Sequence, residues 1–276
     1  MLRVAALQYC ASDDVIKTLQ HIQPLIAEAA SKASLIALPE CANYLAASRE
    51  QLFQRAEWDD ESYSQKWLGN MARECGIWLL AGSLIMRRRD NKRLVNRSLL
   101  FGPDGTVVAD YDKIHMFDAD VGDGKSYQES ANFLAGQSPV IAHIDDVPCG
   151  LTICYDVRFA HLYRQLALDG AQLFLVPAAF TALSGKAHWH VLLRARAIET
   201  GCYVVAPAQS GTHADGRKTY GHSLIINPWG EILAEAEDGD AIIYAALDLS
   251  ASTRAQNAIP SLKTNPVIGP TRLIGP

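Results

Sequence analysis

Short apolar runs and stretches of helical periodicity alternate along the chain from its first residues. Residues 1–8 form an apolar run that predicts a strand. Ser12-Asp13-Asp14 then offer helix N-caps, and Val15, Ile16, Leu19, Ile22, Leu25, Ile26 and Ala29 recur at helical spacing. Pro24 lies inside that pattern and predicts a bend or a helix in two pieces. Residues 34–38 predict a second strand that stops at Pro39-Glu40. Residues 58–75 predict a helix with Tyr63, Trp67, Met71 and Cys75 on one face, closed by Gly76. Residues 77–86 predict a third strand. Residues 96–101 and 106–110 flank Pro103-Asp104-Gly105 and predict a hairpin, with Lys113 just beyond its second arm. Residues 115–138 have no steady period and are rich in Asp, Gly and Ser, which marks a functional loop; Glu129 lies in it.

The second half repeats the alternation. Residues 139–144 and 147–153 predict strands. Residues 159–168 predict a helix with a core stripe of Phe159, Leu162, Tyr163, Leu166 and Ala167. A strand over 173–176, a helix over 186–200 closed by Gly201, and a strand over 203–206 follow. Residues 222–226, 232–236 and 241–247, with Pro228-Trp229-Gly230 between the first two, predict a closing antiparallel set. The tail from Ser250 carries Pro260, Pro266, Pro270 and Pro276, too many for long regular structure. Two strand–helix runs are thus each followed by antiparallel strands, with no linker between them. The expectation is one α/β domain over residues 1–276, with sheets packed face to face and helices outside.

Composition narrows the function classes. At 276 residues, 49% hydrophobic and 20% charged, the chain can bury a core without disulfides or structural metal. A net charge of −5 and the lack of a basic patch beyond Arg87-Arg88-Arg89 exclude nucleic acid as the expected partner. No run approaches the roughly 18 apolar residues of a membrane span, and residues 1–8 lack the form of a signal peptide. Cys10, Cys41, Cys75, Cys149, Cys154 and Cys202 make no CxxC pair, so free thiols in reducing cytosol are expected and a thiol redox protein is not.

The candidate chemistry centres on Cys149-Gly150-Leu151-Thr152-Ile153-Cys154-Tyr155-Asp156-Val157-Arg158. An apolar run stops there at a cysteine, at the carboxyl end of a predicted strand, where open α/β sheets present reactive groups. Taken singly, each residue has a plainer reading. Cys154 could be a buried core thiol, Glu40 a carboxylate at a helix terminus, Lys113 a solvated strand-end charge and Glu129 an ordinary loop acid. His188 and His190 bracket Trp189 and suggest a metal pair. Positions two apart on a helix diverge, however, and no third ligand has metal spacing, so neither metal nor cofactor is expected.

Together these contexts resemble the nitrilase superfamily of carbon–nitrogen hydrolases. The resemblance rests on Val4 to Gln8, Leu38-Pro39-Glu40, Tyr111-Asp112-Lys113-Ile114-His115, Gly150 to Arg158, Arg194 to Glu199 and Tyr220-Gly221-His222-Ser223, and covers nearly the whole chain. It implies a four-layer α-β-β-α sandwich of two mixed sheets. It also implies a Glu40–Lys113–Cys154 triad with Glu129 as a second glutamate, and a cysteine-dependent amidase that works through a thioester. The Tyr155 N–H would join Lys113 in stabilising the oxyanion. Glu199, in the helix with Arg194 and Arg196, reads as part of a structural ion pair that braces the site rather than as a catalyst. Tyr111 to Asp118, Ala187-His188-Trp189 and Pro228-Trp229-Gly230 are similar to the branch that contains deaminated-glutathione amidases and omega-amidases. That likeness implies short acids carrying a terminal amide, hydrolysed to acid and ammonia, with deaminated glutathione favoured over α-ketoglutaramate or α-ketosuccinamate. It also implies a homodimer or larger homo-oligomer. Arg158 and Arg217 are the candidate anchors for a substrate carboxylate. The chain departs from the branch at Ala160-His161, where Pro-Glu is usual, at His190, where an acid is common, and in the loop Cys41 to Leu45. A nitrile or carbamoyl-amide hydrolase on the same site, and a silent scaffold on the same fold, are the competing readings.

Overall fold

A computed structural model describes residues 1–264 and 269–273. Pro266 and Pro276 of the tail lie outside the described residues.

The strand Leu2–Gln8 explains the layering. Side chains alternate across a strand, yet Val4, Ala5, Ala6 and Leu7 are all fully buried, so both faces must be covered. Val4 and Ala6 belong to one core, Ala5 and Leu7 to another. In the first core they meet Ala142, Ile144, Leu173 and Leu175, which come from a second sheet. In the second they meet Leu19, Ile22 and Ile26 of helix α1 (Val15–Ala30), and Leu68, Met71 and Ala72 of a later helix (Tyr63–Cys75).

The first sheet runs in the order Ala241–Leu247, Leu2–Gln8, Leu35–Ala37, Trp78–Leu80, Leu94–Phe101, Leu84–Arg87, Glu57–Trp58, and Val107–Asp112 also pairs with Leu94–Phe101. The second runs Val140–Ile144, Val147–Leu151, Leu173–Leu175, Tyr203–Ala206, Leu224–Ile226, Ile232–Glu235. Each sheet has three parallel strands at its centre and antiparallel neighbours. Between α1 and α3 (Tyr63–Cys75) lies a short α2 (Arg49–Arg55), which has no counterpart in the sequence reading. Helices α4 (Ala160–Leu168) and α5 (Ala182–Thr200) cover the second sheet through Leu162, Tyr163, Leu166, Leu193 and Ala197. The result is the expected α-β-β-α sandwich.

Several boundaries differ from the periodicity, each for a local reason. Helix α1 is continuous through Pro24. Pro24 and Gln20 both face solvent, so the Gln20 carbonyl that loses its N–H partner can be hydrated. Helix α3 starts at Tyr63 rather than Trp58, because the Ser62 hydroxyl caps it by accepting from the Gln65 N–H at 2.9 Å. Its buried face is Leu68, Met71 and Ala72, with Tyr63 half exposed. Helix α5 starts a turn before Lys186, capped by Thr181. The third strand is broken at Gly82, for a reason that belongs to the site. The last strand, Ala241–Leu247, does not close on 232–236. It crosses to the first sheet and pairs antiparallel with Leu2–Gln8 along its whole length. The tail begins with a helix, α6 (Ser250–Ala258), held by the Gln256 side chain donating to the Thr200 carbonyl at 3.0 Å. It is irregular only beyond that. Among the described residues no helix is long and apolar enough to cross a membrane.

Candidate active site

Parallel strands bring their carboxyl ends to one edge, and three chain segments meet there. Glu40 follows Leu35–Ala37, Lys113 follows Val107–Asp112, and Cys154 follows Val147–Leu151. Glu40, Lys113 and Cys154 are 4%, 2% and 8% exposed. A buried, unpaired lysine would be costly, which removes the reading of Lys113 as a solvated charge. Its Nζ donates to Glu40 Oε1 at 3.0 Å and to Glu129 Oε1 and Oε2 at 3.0 and 2.9 Å. Asn96 Nδ2 donates to Glu40 Oε1 at 2.9 Å and reaches Glu129 Oε1 at 3.4 Å. The Ala179 N–H donates to Glu40 Oε2 at 2.9 Å and the Phe117 N–H to Glu129 Oε2 at 2.6 Å. The unperiodic loop therefore contributes a carboxylate to this cluster. It delivers Glu129 on a short hairpin, Asp118–Asp120 with Ser126–Gln128, and a 3-10 turn, Glu129–Ala131.

The charges balance by proximity. Burial pushes the Glu40 carboxyl up, but the Lys113 charge and donors from Cys154, Lys113 and Asn96 outweigh it and hold Glu40 below its ordinary value. Burial pushes Lys113 down, but Glu129 and then Glu40 hold it well above its ordinary value. Burial and the Glu40 charge push the Cys154 thiol well up, against the opposing pull of Lys113. The resting arrangement is thus a carboxylate, an ammonium and a protonated thiol. It can move one proton from sulfur to carboxylate when sulfur attacks an electrophile.

Backbone shape sets these side chains. Cys154 and Cys41, the latter directly after Glu40, have φ of 50° and 56°, in the left-handed region that non-glycine residues enter rarely and at a cost of about 1–3 kcal/mol. The Cys154 N–H is held by the Pro177 carbonyl at 2.8 Å. The Tyr155 N–H opens a 3-10 turn, Cys154–Arg158, where the first N–H groups have no partner within the helix. Gly82, at φ 56°, lies so close under Glu40's turn that a Cβ there would be 2.0 Å from the Pro39 carbonyl oxygen. Ser83 then accepts from the Cys41 N–H at its hydroxyl (2.9 Å) and from the Ala42 N–H at its carbonyl (2.8 Å). The Gln209 side chain donates to the Glu40 carbonyl at 3.0 Å.

Asp156 ties the turn at Cys154 to the lysine arm. Fully buried, it accepts at Oδ2 from the Ile153 N–H (2.8 Å) and the Tyr111 hydroxyl (2.7 Å). Its Oδ1 accepts from the His115 N–H (3.0 Å) and lies 2.7 Å from His115 Nδ1. Arg196 also braces the turn: its Nε donates to the Val157 carbonyl at 2.8 Å and its Nη1 pairs with Glu199. Arg194 donates instead to the Gly230 carbonyl.

Above Cys154 opens a cavity of about 410 Å³, within the usual range for a small-molecule site. Arg158 and Arg217 both line it. The Arg158 guanidinium lies over the Tyr155 and Phe180 rings at 5.8 and 5.3 Å, and its Nη2 is 3.3 Å from His188 Nδ1. Arg217 Nε is 3.8 Å from Asp215 Oδ2. Arg49 and Lys125 add two cations that the sequence reading did not single out. Asn96, Asp156 and Gln209 were missed too. A polar Asn96 within the apolar run of its strand was the one available signal.

The chain belongs to the carbon–nitrogen hydrolase family. The family model "Carbon-nitrogen hydrolase" matches residues 3–257. The chain is 41% identical over 263 residues to a deaminated glutathione amidase of Synechocystis sp., covering 94% of this chain and 96% of that protein. It is 38% identical to omega-amidase NIT2 of Homo sapiens, over 90% of this chain and 88% of that protein. The NitFhit protein of C. elegans superimposes with a TM-score of 0.88 at 32% identity, covering 96% of this chain and 65% of that one.

Proposed function

We propose that this protein is a cysteine-dependent amidase, its residues 1–276 forming one catalytic domain, that cleaves the amide of a short carboxylic acid, with deaminated glutathione as substrate. The observation that carries the reading is the buried Lys113 ammonium, clamped by Glu40 and Glu129 beside the Cys154 thiol. Glu40 takes the thiol proton as sulfur attacks the amide carbon, and the carbonyl electron pair moves to oxygen. Lys113 and the Tyr155 N–H stabilise that oxyanion, each such donor being worth about 3–4 kcal/mol. As the C–N bond breaks, nitrogen leaves with the proton held by Glu40. A thioester remains on Cys154, and Glu40 deprotonates the water that releases the acid. Glu129 holds Lys113 in place through both of its carboxylate oxygens. The leaving group is ammonia for a primary amide and a peptide amine for deaminated glutathione.

The substrate class follows from the relative named deaminated glutathione amidase and from the cationic cavity wall, with Arg158 and Arg217 as carboxylate anchors. The relative named omega-amidase favours a second reading, small primary ω-amides such as α-ketoglutaramate. Turnover of deaminated glutathione beside α-ketoglutaramate, nitriles and carbamoyl amines separates these. Arg158→Ala and Arg217→Ala should raise KM for acidic amides and leave uncharged amides unaffected; equal losses on both would remove the anchor roles. We further place the enzyme in the cytosol, consistent with six free thiols, and in a homo-oligomer, for which the exposed Val191, Ile198 and Trp229 offer apolar surface.

A further inference from the structure

A second cluster of chemistry-bearing side chains lies apart from the catalytic cluster. The sequence pairs His188 with His190, but the fold separates them. His188 turns to Arg158, whereas His190 meets His222 and Glu235. His190 Nε2 is 2.8 Å from Glu235 Oε1, and His222 Nδ1 is 3.0 Å from the same oxygen. One donor atom from each of the three residues lies within 4.8 Å of the others.

We propose that His190 Nε2, His222 Nδ1 and a Glu235 carboxylate oxygen form a binding site for a divalent transition-metal ion of the Zn²⁺ type. Two imidazoles and a carboxylate make a donor set suited to such ions, with the remaining positions open to water. Ligands about 2.1 Å from one metal are about 3 Å apart when cis, so the two short edges already have the spacing an ion needs. The rings are held. His222 has φ 52°, its ring stacks on Tyr220 at 4.3 Å, and its carbonyl accepts from Trp189 Nε1 at 2.7 Å, beside His190. The site is reachable, since the three side chains are 28%, 27% and 37% exposed. Glu237 and Asp238 line the same depression and add negative charge. Without metal, both imidazoles can donate N–H to Glu235. On binding, the ring protons sit on His190 Nδ1 and His222 Nε2, which leaves the His190 Nε2 and His222 Nδ1 lone pairs for the ion. The ion would join α5, the segment after the strand Lys218–Tyr220 and the end of the strand Ile232–Glu235, with Glu235 lying 45 residues beyond His190 and 13 beyond His222.

The test is calorimetric titration of Zn²⁺ into metal-stripped protein carrying Cys154→Ala, so that the catalytic thiol cannot compete. The expected result is one Zn²⁺ per chain, with affinity reduced more than about 100-fold by His190→Ala and by His222→Ala, and unchanged by His188→Ala. Co²⁺ at the site should show a d–d spectrum with no thiolate charge-transfer band. Glu235→Gln, close in volume to the native residue, should weaken binding as well and decides the matter if a histidine variant fails to fold. Absence of stoichiometric binding, equal affinity in the His190 and His222 variants, or a thiolate band would overturn the proposal.

Discussion

Asp156 is the residue whose loss should do most damage without removing a reacting group. It is fully buried and receives the Ile153 N–H, the His115 N–H and the Tyr111 hydroxyl. Asp156→Ala leaves two main-chain donors and one hydroxyl without an acceptor. An unsatisfied buried polar group costs about 1–3 kcal/mol, so two main-chain groups plus a small cavity sum to about 3–5 kcal/mol. Asp156→Asn keeps one acceptor oxygen but turns an amide N–H₂ toward one of the main-chain donors. Its cost should be about 1–3 kcal/mol. Because Ile153 precedes Cys154 and His115 lies two residues beyond Lys113, the same loss should shift the thiol against the ammonium. A displacement of about 1 Å costs roughly 100-fold in rate. Urea unfolding of the wild type and both variants gives the stability differences, and kcat on an amide substrate gives the rate. Both variants within about 0.5 kcal/mol of wild type, with kcat unchanged, would refute the role given to Asp156.

Two further outcomes follow from the geometry around Glu40. Gly82→Ala combines a Cβ 2.0 Å from the Pro39 carbonyl oxygen with a backbone at φ 56°. It should cost about 2–5 kcal/mol and lower kcat with it, measured by urea unfolding and turnover; a neutral effect on both would show that the Glu40 turn tolerates displacement. Glu40 is held below its ordinary carboxyl value in the folded chain. Its contribution to stability is therefore complete above the unfolded-state range near 4.3 and is lost as pH falls through the lower folded value. Unfolding free energies at neutral and acidic pH should converge more in Glu40→Gln than in wild type, and identical pH slopes would contradict the assignment.

What the sequence made legible depended on how local the cause was. The strands that precede Glu40 and Cys154 were visible because their apolar runs give way abruptly to polar residues, and Gly76 and Gly201 marked helix ends by the left-handed turns they adopt. Lys113 and Glu129 became readable as a pair through their resemblance contexts. Nothing in their spacing brings a loop acid onto a strand-end lysine. Asp156 stood in the central stretch unnoticed, since its importance lies in Tyr111 and His115, more than forty positions away. The destination of Ala241–Leu247 was equally hidden. Periodicity reports that a strand is half or fully buried and says nothing of which sheet completes it. Pro24 shows the opposite error, a local rule overridden because the residue faces water. The meeting of His190, His222 and Glu235 is again a product of topology, as their separation in the chain matches no metal motif.

In the proposed reaction Cys154 carries the acyl group. Amide hydrolysis by the wild type and by Cys154→Ala, followed as release of acid together with ammonia or amine, tests it most directly. Quenched reactions can be examined by mass spectrometry for an acyl adduct. Turnover and a thioester on Cys154 are expected in the wild type, and neither in the variant. Unchanged hydrolysis by Cys154→Ala would contradict it.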